Sequence, residues 1–139
     1  MADHGSSIVS QALALQLFPQ IERVKALRQA QGLERLDLVQ SLLARLIPDW
    51  TWTRPDGGLI LWPRLPRGDA NEYAQVALRH GIAVVPGSVA SPDGTMTEYL
   101  RFPFALDPAI YEEAIPRLAQ AWATYSAALR DREPGRFVV

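Results

Sequence analysis

The chain has 139 residues, 48% of them hydrophobic, which is typical of a folded globular domain and excludes a disordered polar segment. Its net charge of -1 offers no basic field that would collect phosphates, so general nucleic-acid binding by this chain is not expected. It has no cysteine, no signal-peptide pattern and no apolar stretch of membrane-spanning length, so we expect a cytoplasmic protein without disulfides, thiolate metal sites or a membrane partner.

The first third of the chain is predicted to be helical. Ser6 or Ser7 is a suitable N-cap for a first helix, and Pro19 ends that helix or opens a second one. From residue 20 to residue 47 apolar residues recur mainly every three positions, a spacing that drifts around a helix of 3.6 residues per turn. We therefore expect the half from Leu36 to Leu46 to face a sheet and the earlier half to face something else.

Two strands are predicted after Pro48. Residues 50–53 alternate tryptophan and threonine, and residues 59–65 follow a glycine-rich turn. In the run Leu59-Ile60-Leu61-Trp62 both alternating sets are apolar, which predicts a strand that is buried on both faces.

A third helix is predicted between Asp69 and Gly81. Asp69 is a suitable N-cap, Glu72 stands three residues later as in a capping box, and Gly81 closes the helix. Residues 82–85 then form a further strand that ends at Pro86-Gly87, and residues 88–97 form a loop.

An arginine stands in the middle of the next predicted strand, residues 99–106. Alternation places Arg101 on one face with Tyr99 and Pro103, and leaves apolar residues on the other. A guanidinium in an apolar sheet is costly unless an anion meets it. From residue type alone, two interpretations are open. One is an ion pair with Glu98 or another surface carboxylate, and the other is a bidentate clamp for a ligand carboxylate.

The last helix has its start signals in order, with Asp107 as the cap and Pro108 as the first residue. Pro116 lies within it, and we expect a kink there. Residues 131–139 are predicted to be a loose tail of the single domain 1–139. The order of elements predicts an α+β fold, a two-layer sandwich with helices packed on one face of a small, mostly antiparallel sheet.

Few side chains suit intrinsic catalysis. The only histidines are His4 and His80, and we interpret His80 as a structural residue at a helix end. The carboxylates are scattered over helix surfaces, and no nucleotide-binding or nucleophile motif occurs. Lys25, the only lysine, lies among charged residues of a helix. We therefore predict no catalytic residue, no cofactor-binding residue and no metal ligand in this chain.

Three stretches, in this order, resemble a known family. They are residues 54–66 (RPDGGLILWPRLP), residues 80–87 (HGIAVVPG) and residues 100–105 (LRFPFA). Together with the helices around them they resemble the C-terminal part of fold-type I PLP-dependent aminotransferases. The closest resemblance is to the aminotransferase-like domain of GntR-family, MocR-type transcriptional regulators, and it covers nearly the whole chain.

The resemblance implies an α+β small domain that closes over a PLP site held mostly by a larger domain. In that family the arginine that matches Arg101 binds the α-carboxylate of an amino-acid substrate or effector. PLP is expected in the full-length parent and not on this chain alone, because Lys25 lacks the surroundings of a Schiff-base lysine. The resemblance further implies a parent that binds an amino acid or amine, forms a homodimer, and contacts DNA only through another domain.

Three functions remain open. The first is the C-terminal domain of a GntR-family regulator or, as the alternative, of a plain aminotransferase. The second is a stand-alone ferredoxin-like module for ligand binding or oligomerisation, with the strand arginine as its anion anchor. The third is an interaction domain whose Trp50, Trp52 and Trp62 surface binds a protein partner. The doubly apolar strand favours the first, and predicts that the isolated chain self-associates with Ile8, Leu13 or Trp62 at the contact.

Overall fold

The computed structural model of the chain describes residues 7–132. The chain divides into two compact units, Met1–Glu34 and Arg35–Val139, which we call the N-terminal and C-terminal units. No helix among residues 7–132 is both long and apolar enough to cross a bilayer.

The N-terminal unit is helical and has no buried residue among residues 7–34. Helix α1 (Ile8–Leu17) and a 3-10 turn (Phe18–Gln20) lead into helix α2 (Ile21–Leu46), whose first half belongs to this unit. Ser7 caps α1, since its Oγ accepts a hydrogen bond from the Ser10 N–H at 3.4 Å, so the second of the two predicted caps is used. The large apolar side chains exposed here are Ile8, Val9, Leu13, Leu15, Leu17, Phe18, Ile21, Val24, Leu27 and Leu33.

The second half of α2 contributes to the core of the C-terminal unit. Its buried residues are Leu36, Val39, Leu42 and Leu43, as the drifting apolar spacing predicted. The helix ends at Leu46 next to Pro48, which cannot donate a helical hydrogen bond.

The sheet has three antiparallel strands in the order β1-β3-β2: β1 is Ile60–Leu61, β2 is Val85–Pro86 and β3 is Leu100–Pro103. This confirms the predicted α+β fold. The register pairs are Ile60–Pro103, Leu61–Phe102, Arg64–Tyr99, Val85–Arg101 and Pro86–Leu100.

The predicted strands around β1 are corrected in extent. Residues 50–53 form no strand, and only Thr51 pairs there, in a single bridge to Arg64. The predicted strand 59–65 shrinks to Ile60–Leu61, because Pro63 has no N–H and interrupts the ladder before Arg64.

Burial on both faces of the β1 region was also wrong. Leu61 and Leu65 are each 1% exposed and lie in the core, whereas Ile60 and Trp62 of the alternate set are only half-buried. One alternating set therefore packs in the core, and residues 7–132 cover the other only in part.

Helix α3 (Ala70–Arg79) starts at Asp69, as predicted, and the Asp69 carboxylate accepts from the Asn71 N–H at 2.6 Å. The capping box has an unexpected member. In a capping box the Glu72 side chain would accept a hydrogen bond from the Asp69 N–H. Here the Asp69 N–H donates to the Tyr125 hydroxyl at 2.8 Å. That hydroxyl lies 3.1 Å from Glu72 Oε2, to which it can donate. Gly81 follows the helix at a φ of 79°, the left-handed conformation expected of a C-terminal glycine.

The segment after α3 differs from the prediction in two places. The strand predicted over residues 82–85 is confined to Val85–Pro86, and a short helix α4 (Gly87–Ala90) begins where a loop was predicted. Gly87 is needed at this junction, because a Cβ there would lie 2.6 Å from the Met96 carbonyl oxygen.

Helix α5 (Pro108–Arg132) starts after Asp107, whose carboxylate accepts from the Ala109 N–H at 3.0 Å, and continues through Pro116. The tail predicted from residue 131 is corrected at its start, because Asp131 and Arg132 are still helical. Residues 133–139 lie outside the described residues.

The core lies between the sheet and the helices α2, α3 and α5. The inward set of β3 is buried, with Leu100 at 0% and Phe102 at 7% exposure. Trp50 is also a core residue, and its ring meets those of Tyr73 and Trp122 edge-on at 5.4 and 5.7 Å between centroids. The predicted surface of three tryptophans is therefore wrong for Trp50.

Candidate functional site

Arg101 lies on the sheet face opposite the core, which we call the open face. Its neighbours along β3, Leu100 and Phe102, point into the core, so alternation turns the arginine outward. Tyr99 and Pro103 share its face and are half-buried. The sequence predicted this arrangement.

The cross-strand neighbours of Arg101 are apolar. Val85 of β2 is its partner on one side. On the other side the β1–β3 register sets Trp62 opposite it. Because β3 is the central strand, the arginine backbone is held from both sides.

The carboxylates considered as partners for Arg101 are engaged elsewhere. Glu98 Oε1 lies 3.6 Å from Arg64 Nε. Asp93 accepts from the Ser91 hydroxyl and from the Thr95 hydroxyl and N–H, and these hydrogen bonds lower its pKa to about 2. Arg101 is exposed, and the structure gives it no hydrogen bond or ion pair with any of residues 7–132.

Two hollows flank the arginine. The first has a volume of about 280 Å³ and an apolar lining, formed by residues 81–85 beside β2, by residues 101–103 and by the start of α5. Arg101 is its cationic member. The segment 81–85 borders this hollow with side chains that the sheet leaves uncovered, such as Val85.

The second hollow, which we call the tryptophan cleft, has a volume of about 480 Å³. Its lining residues are Thr51, Trp52, Thr53, Arg54, Pro55, Asp56, Trp62, Arg64 and Tyr99. Sequence reasoning did not find this cleft, although it noted Trp52 and Trp62. No local pattern indicates it, because Trp52 and Trp62 lie on separate segments that the bridge between Thr51 and Arg64 brings together.

The loop that leads into β3 approaches the site closely. The Gly87 N–H donates to the Tyr99 carbonyl at 2.7 Å, and a Cβ at Gly87 would lie 3.0 Å from that of Tyr99. The Pro86-Gly87 turn therefore fixes the backbone two residues before Arg101.

The one histidine among residues 7–132 lies away from Arg101, at the end of a helix. His80 ends α3, and its Nε2 lies 3.4 Å from Thr124 Oγ1, a helix-surface hydroxyl. Within residues 7–132 no group of three or more metal-ligating side chains converges. The chemistry available at Arg101 is the binding of an anion by a planar guanidinium.

Lys25 does not fit a PLP-binding lysine. Its side chain is 64% exposed on α2, and its Nζ lies 3.1 Å from both carboxylate oxygens of Glu22. The Nζ that would form a Schiff base is held instead by the Glu22 carboxylate on an exposed helix surface. We therefore derive no cofactor chemistry from this residue.

Comparison with known proteins gives a family match over most of the chain. The sequence model of the family described as "Aminotransferase class I and II" matches residues 2–118. The 2-aminoadipate transaminase of Thermus thermophilus is 30% identical over 125 residues, which cover 86% of this chain and 31% of that protein. The aromatic-amino-acid aminotransferase 1 of Thermococcus litoralis is 36% identical over 90 residues, covering 62% of this chain and 21% of that protein.

A solved structure gives the same correspondence. The α-aminoadipate aminotransferase of Thermus thermophilus, solved with N-(5'-phosphopyridoxyl)-L-leucine, superposes with a TM-score of 0.70 at 28% identity. The match covers 86% of this chain and 31% of that one. The chain thus spans between a fifth and a third of the length of the curated relatives it matches.

Proposed function

Because the chain belongs to the family of class I and II aminotransferases, we propose that it is the small domain of a PLP-dependent aminotransferase. In this proposal Arg101 binds the α-carboxylate of the amino-acid substrate, and the parent enzyme acts as a homodimer. The PLP-binding lysine belongs to a larger domain of the parent, since Lys25 is unsuited to that role.

The observation that carries the proposal is the state of Arg101. It is an exposed arginine in the centre of a sheet, and none of residues 7–132 neutralises it. Val85 and Trp62 beside it offer no competing anion. The rigid central strand thus presents a fork of N–H donors whose geometry matches a carboxylate.

The residues of this chain would bind and orient the substrate. Two parallel hydrogen bonds from Arg101 would fix the plane of the carboxylate and hence the position of the α-carbon, which lies in that plane. PLP, when bound, supplies the electron sink for chemistry at that carbon.

The sequence resemblance first suggested a more specific function, the C-terminal domain of a GntR-family regulator. The same arginine would then bind an effector, and DNA binding would need another domain. We favour the enzyme because both curated relatives carry aminotransferase names. The reading frame of the parent gene tests this choice, since a helix-turn-helix region upstream would overturn it.

The test of the proposed site uses the parent protein with Arg101→Ala and Arg101→Lys. Loss of two charge-assisted hydrogen bonds is expected to weaken amino-acid binding by about 100-fold in the alanine variant, with lysine nearly as weak. Binding is followed by the change in cofactor absorbance, and the amount of bound PLP should stay the same. Arg79→Ala, an exposed arginine at the end of α3, is the matched control. Unchanged amino-acid binding in Arg101→Ala would overturn the proposal.

A further inference from the structure

The tryptophan cleft borders the position of Arg101 on the open face. Trp62, which lines the cleft, stands opposite Arg101 in the register, where Cβ atoms are about 4.5–5.5 Å apart. Tyr99 lies two residues before Arg101 on the same face, at a distance of roughly 7 Å along the strand. A carboxylate on Arg101 therefore places the rest of a small molecule within reach of the cleft.

The cleft is held in shape by hydrogen bonds of this chain. Thr51 and Arg64 exchange two backbone hydrogen bonds across its floor, at 3.2 and 2.7 Å. Arg54 donates to Asp37 Oδ1 and to Gln40 Oε1 at 2.6 Å each, which fixes one wall to α2. A site that needs no rearrangement loses little free energy to ordering when a ligand enters.

The lining suits a flat apolar group. Trp52, Trp62 and Tyr99 contribute three aromatic rings, all half-buried and all uncovered on the side of the cleft. Its two cations already face carboxylates of this chain, Arg54 at 2.6 Å from Asp37 and Arg64 at 3.6 Å from Glu98. The cleft therefore offers aromatic surface without an uncompensated positive charge for a second ligand carboxylate.

We infer that the tryptophan cleft holds the side chain of the amino acid whose carboxylate lies on Arg101, and that this side chain ends in an aromatic ring. The inference rests on the proposed function for the position of the carboxylate. It assigns Trp52 and Trp62 as the residues that select the side chain, through ring stacking and burial of apolar area.

The isolated chain carries its own reporters for the experiment. Its four tryptophans give four indole N–H signals in an NMR spectrum, two from the cleft (Trp52 and Trp62) and two from the core (Trp50 and Trp122). The chain carries Leu13→Asp to weaken self-association, and it is titrated with propionate, 3-phenylpropionate and glutarate while the indole signals and the Arg101 side-chain N–H signal are followed. We expect 3-phenylpropionate to bind about tenfold more tightly than propionate, and to move the cleft and Arg101 signals but not the core signals.

The variant Trp62→Leu is expected to abolish the tenfold preference while propionate affinity stays unchanged. Trp52→Leu repeats the test from the other wall, and the unmoved signals of Trp50 and Trp122 verify that each variant is folded. If both monocarboxylates move the Arg101 signal with equal affinity, the cleft inference is overturned and the proposed function stands.

Three further outcomes separate the two ideas. If the cleft signals move and the Arg101 signal does not, the cleft binds the aromatic ring but Arg101 does not bind the carboxylate, and the proposed function is overturned. Tighter binding of glutarate than of 3-phenylpropionate overturns the aromatic assignment, because Arg64 would then serve a second carboxylate. If no signal moves with any ligand, the inference is overturned.

Discussion

The hydroxyl of Tyr125 is predicted to contribute more to the free energy of unfolding than a surface hydrogen bond does, and Tyr125→Phe tests this. The side chain is 3% exposed, and its oxygen accepts from the Asp69 N–H at 2.8 Å. It is also within donor range of the Asp69 carbonyl at 3.2 Å and of Glu72 Oε2 at 3.1 Å. Phenylalanine keeps the ring in the core and removes only these bonds.

The size of the stability loss follows from the Asp69 N–H, which the variant leaves without its acceptor. An unsatisfied, partly buried N–H costs about 1–3 kcal/mol, and loss of a helix N-cap bond costs about 0.5–2 kcal/mol. Asp69 retains its own cap to the Asn71 N–H, which favours the lower part of these ranges. We expect the free energy of unfolding to fall by about 1.5 kcal/mol and Tm by about 3–8 °C.

Urea denaturation at pH 7, followed by circular dichroism, measures the change, and an unaltered m value is required for its interpretation. Tyr99→Phe is the matched control, since the Tyr99 hydroxyl forms no hydrogen bond with residues 7–132. A loss below about 0.5 kcal/mol in Tyr125→Phe, or one equal to the control, would refute the argument that this hydroxyl caps α3.

Four other results are expected. Arg101→Ala should change the free energy of unfolding by less than about 0.5 kcal/mol in urea, whereas a loss of 3–5 kcal/mol would reveal a buried ion pair. Burial raises the pKa of Tyr73, so above pH 10 the unfolded state loses protons first and stability should fall as pH rises. Tyr73→Phe should flatten that decline in pH-dependent melting, and an unchanged slope would contradict it. The chain should form dimers or larger species at micromolar concentration, weakened by Leu13→Asp; a monomer in sedimentation that binds no hydrophobic dye would count against this. PLP mixed with the chain should be lost on desalting, and a retained band would point to Lys25 if Lys25→Ala removes it, or to another site if it persists.

Local patterns predicted what depends on neighbouring residues. The alternation around Arg101 is a property of one strand, and the structure reproduces it, with Leu100 and Phe102 buried and Arg101 exposed. The caps at Asp69 and Asp107 are likewise local, because each side chain reaches an N–H two residues ahead.

Patterns that depend on distant residues were misread. Trp50 and Trp52 look equivalent in sequence, yet only Trp50 meets the rings of Tyr73 and Trp122 in the core. The α3 cap uses Tyr125, which lies 56 residues from Asp69, and no spacing rule indicates such a partner.

The candidate site was predicted in part for the same reason. Arg101 could be singled out because a charge in an apolar strand is visible in the sequence. The tryptophan cleft could not be predicted in this way. Its three aromatic residues come together only because Arg64 forms one bridge to Thr51 and another to Tyr99.

The central position of β3 has a consequence for how the chain is made. Both pairings of the sheet pass through β3, so Ile60–Leu61 and Val85–Pro86 have no strand partner until Leu100–Pro103 has emerged from the ribosome. During synthesis at about 5–20 residues per second, the nascent chain exposes these segments for several seconds. The interval before Leu100–Pro103 emerges is therefore the stage at which these two segments are open to wrong pairing or to binding by a chaperone.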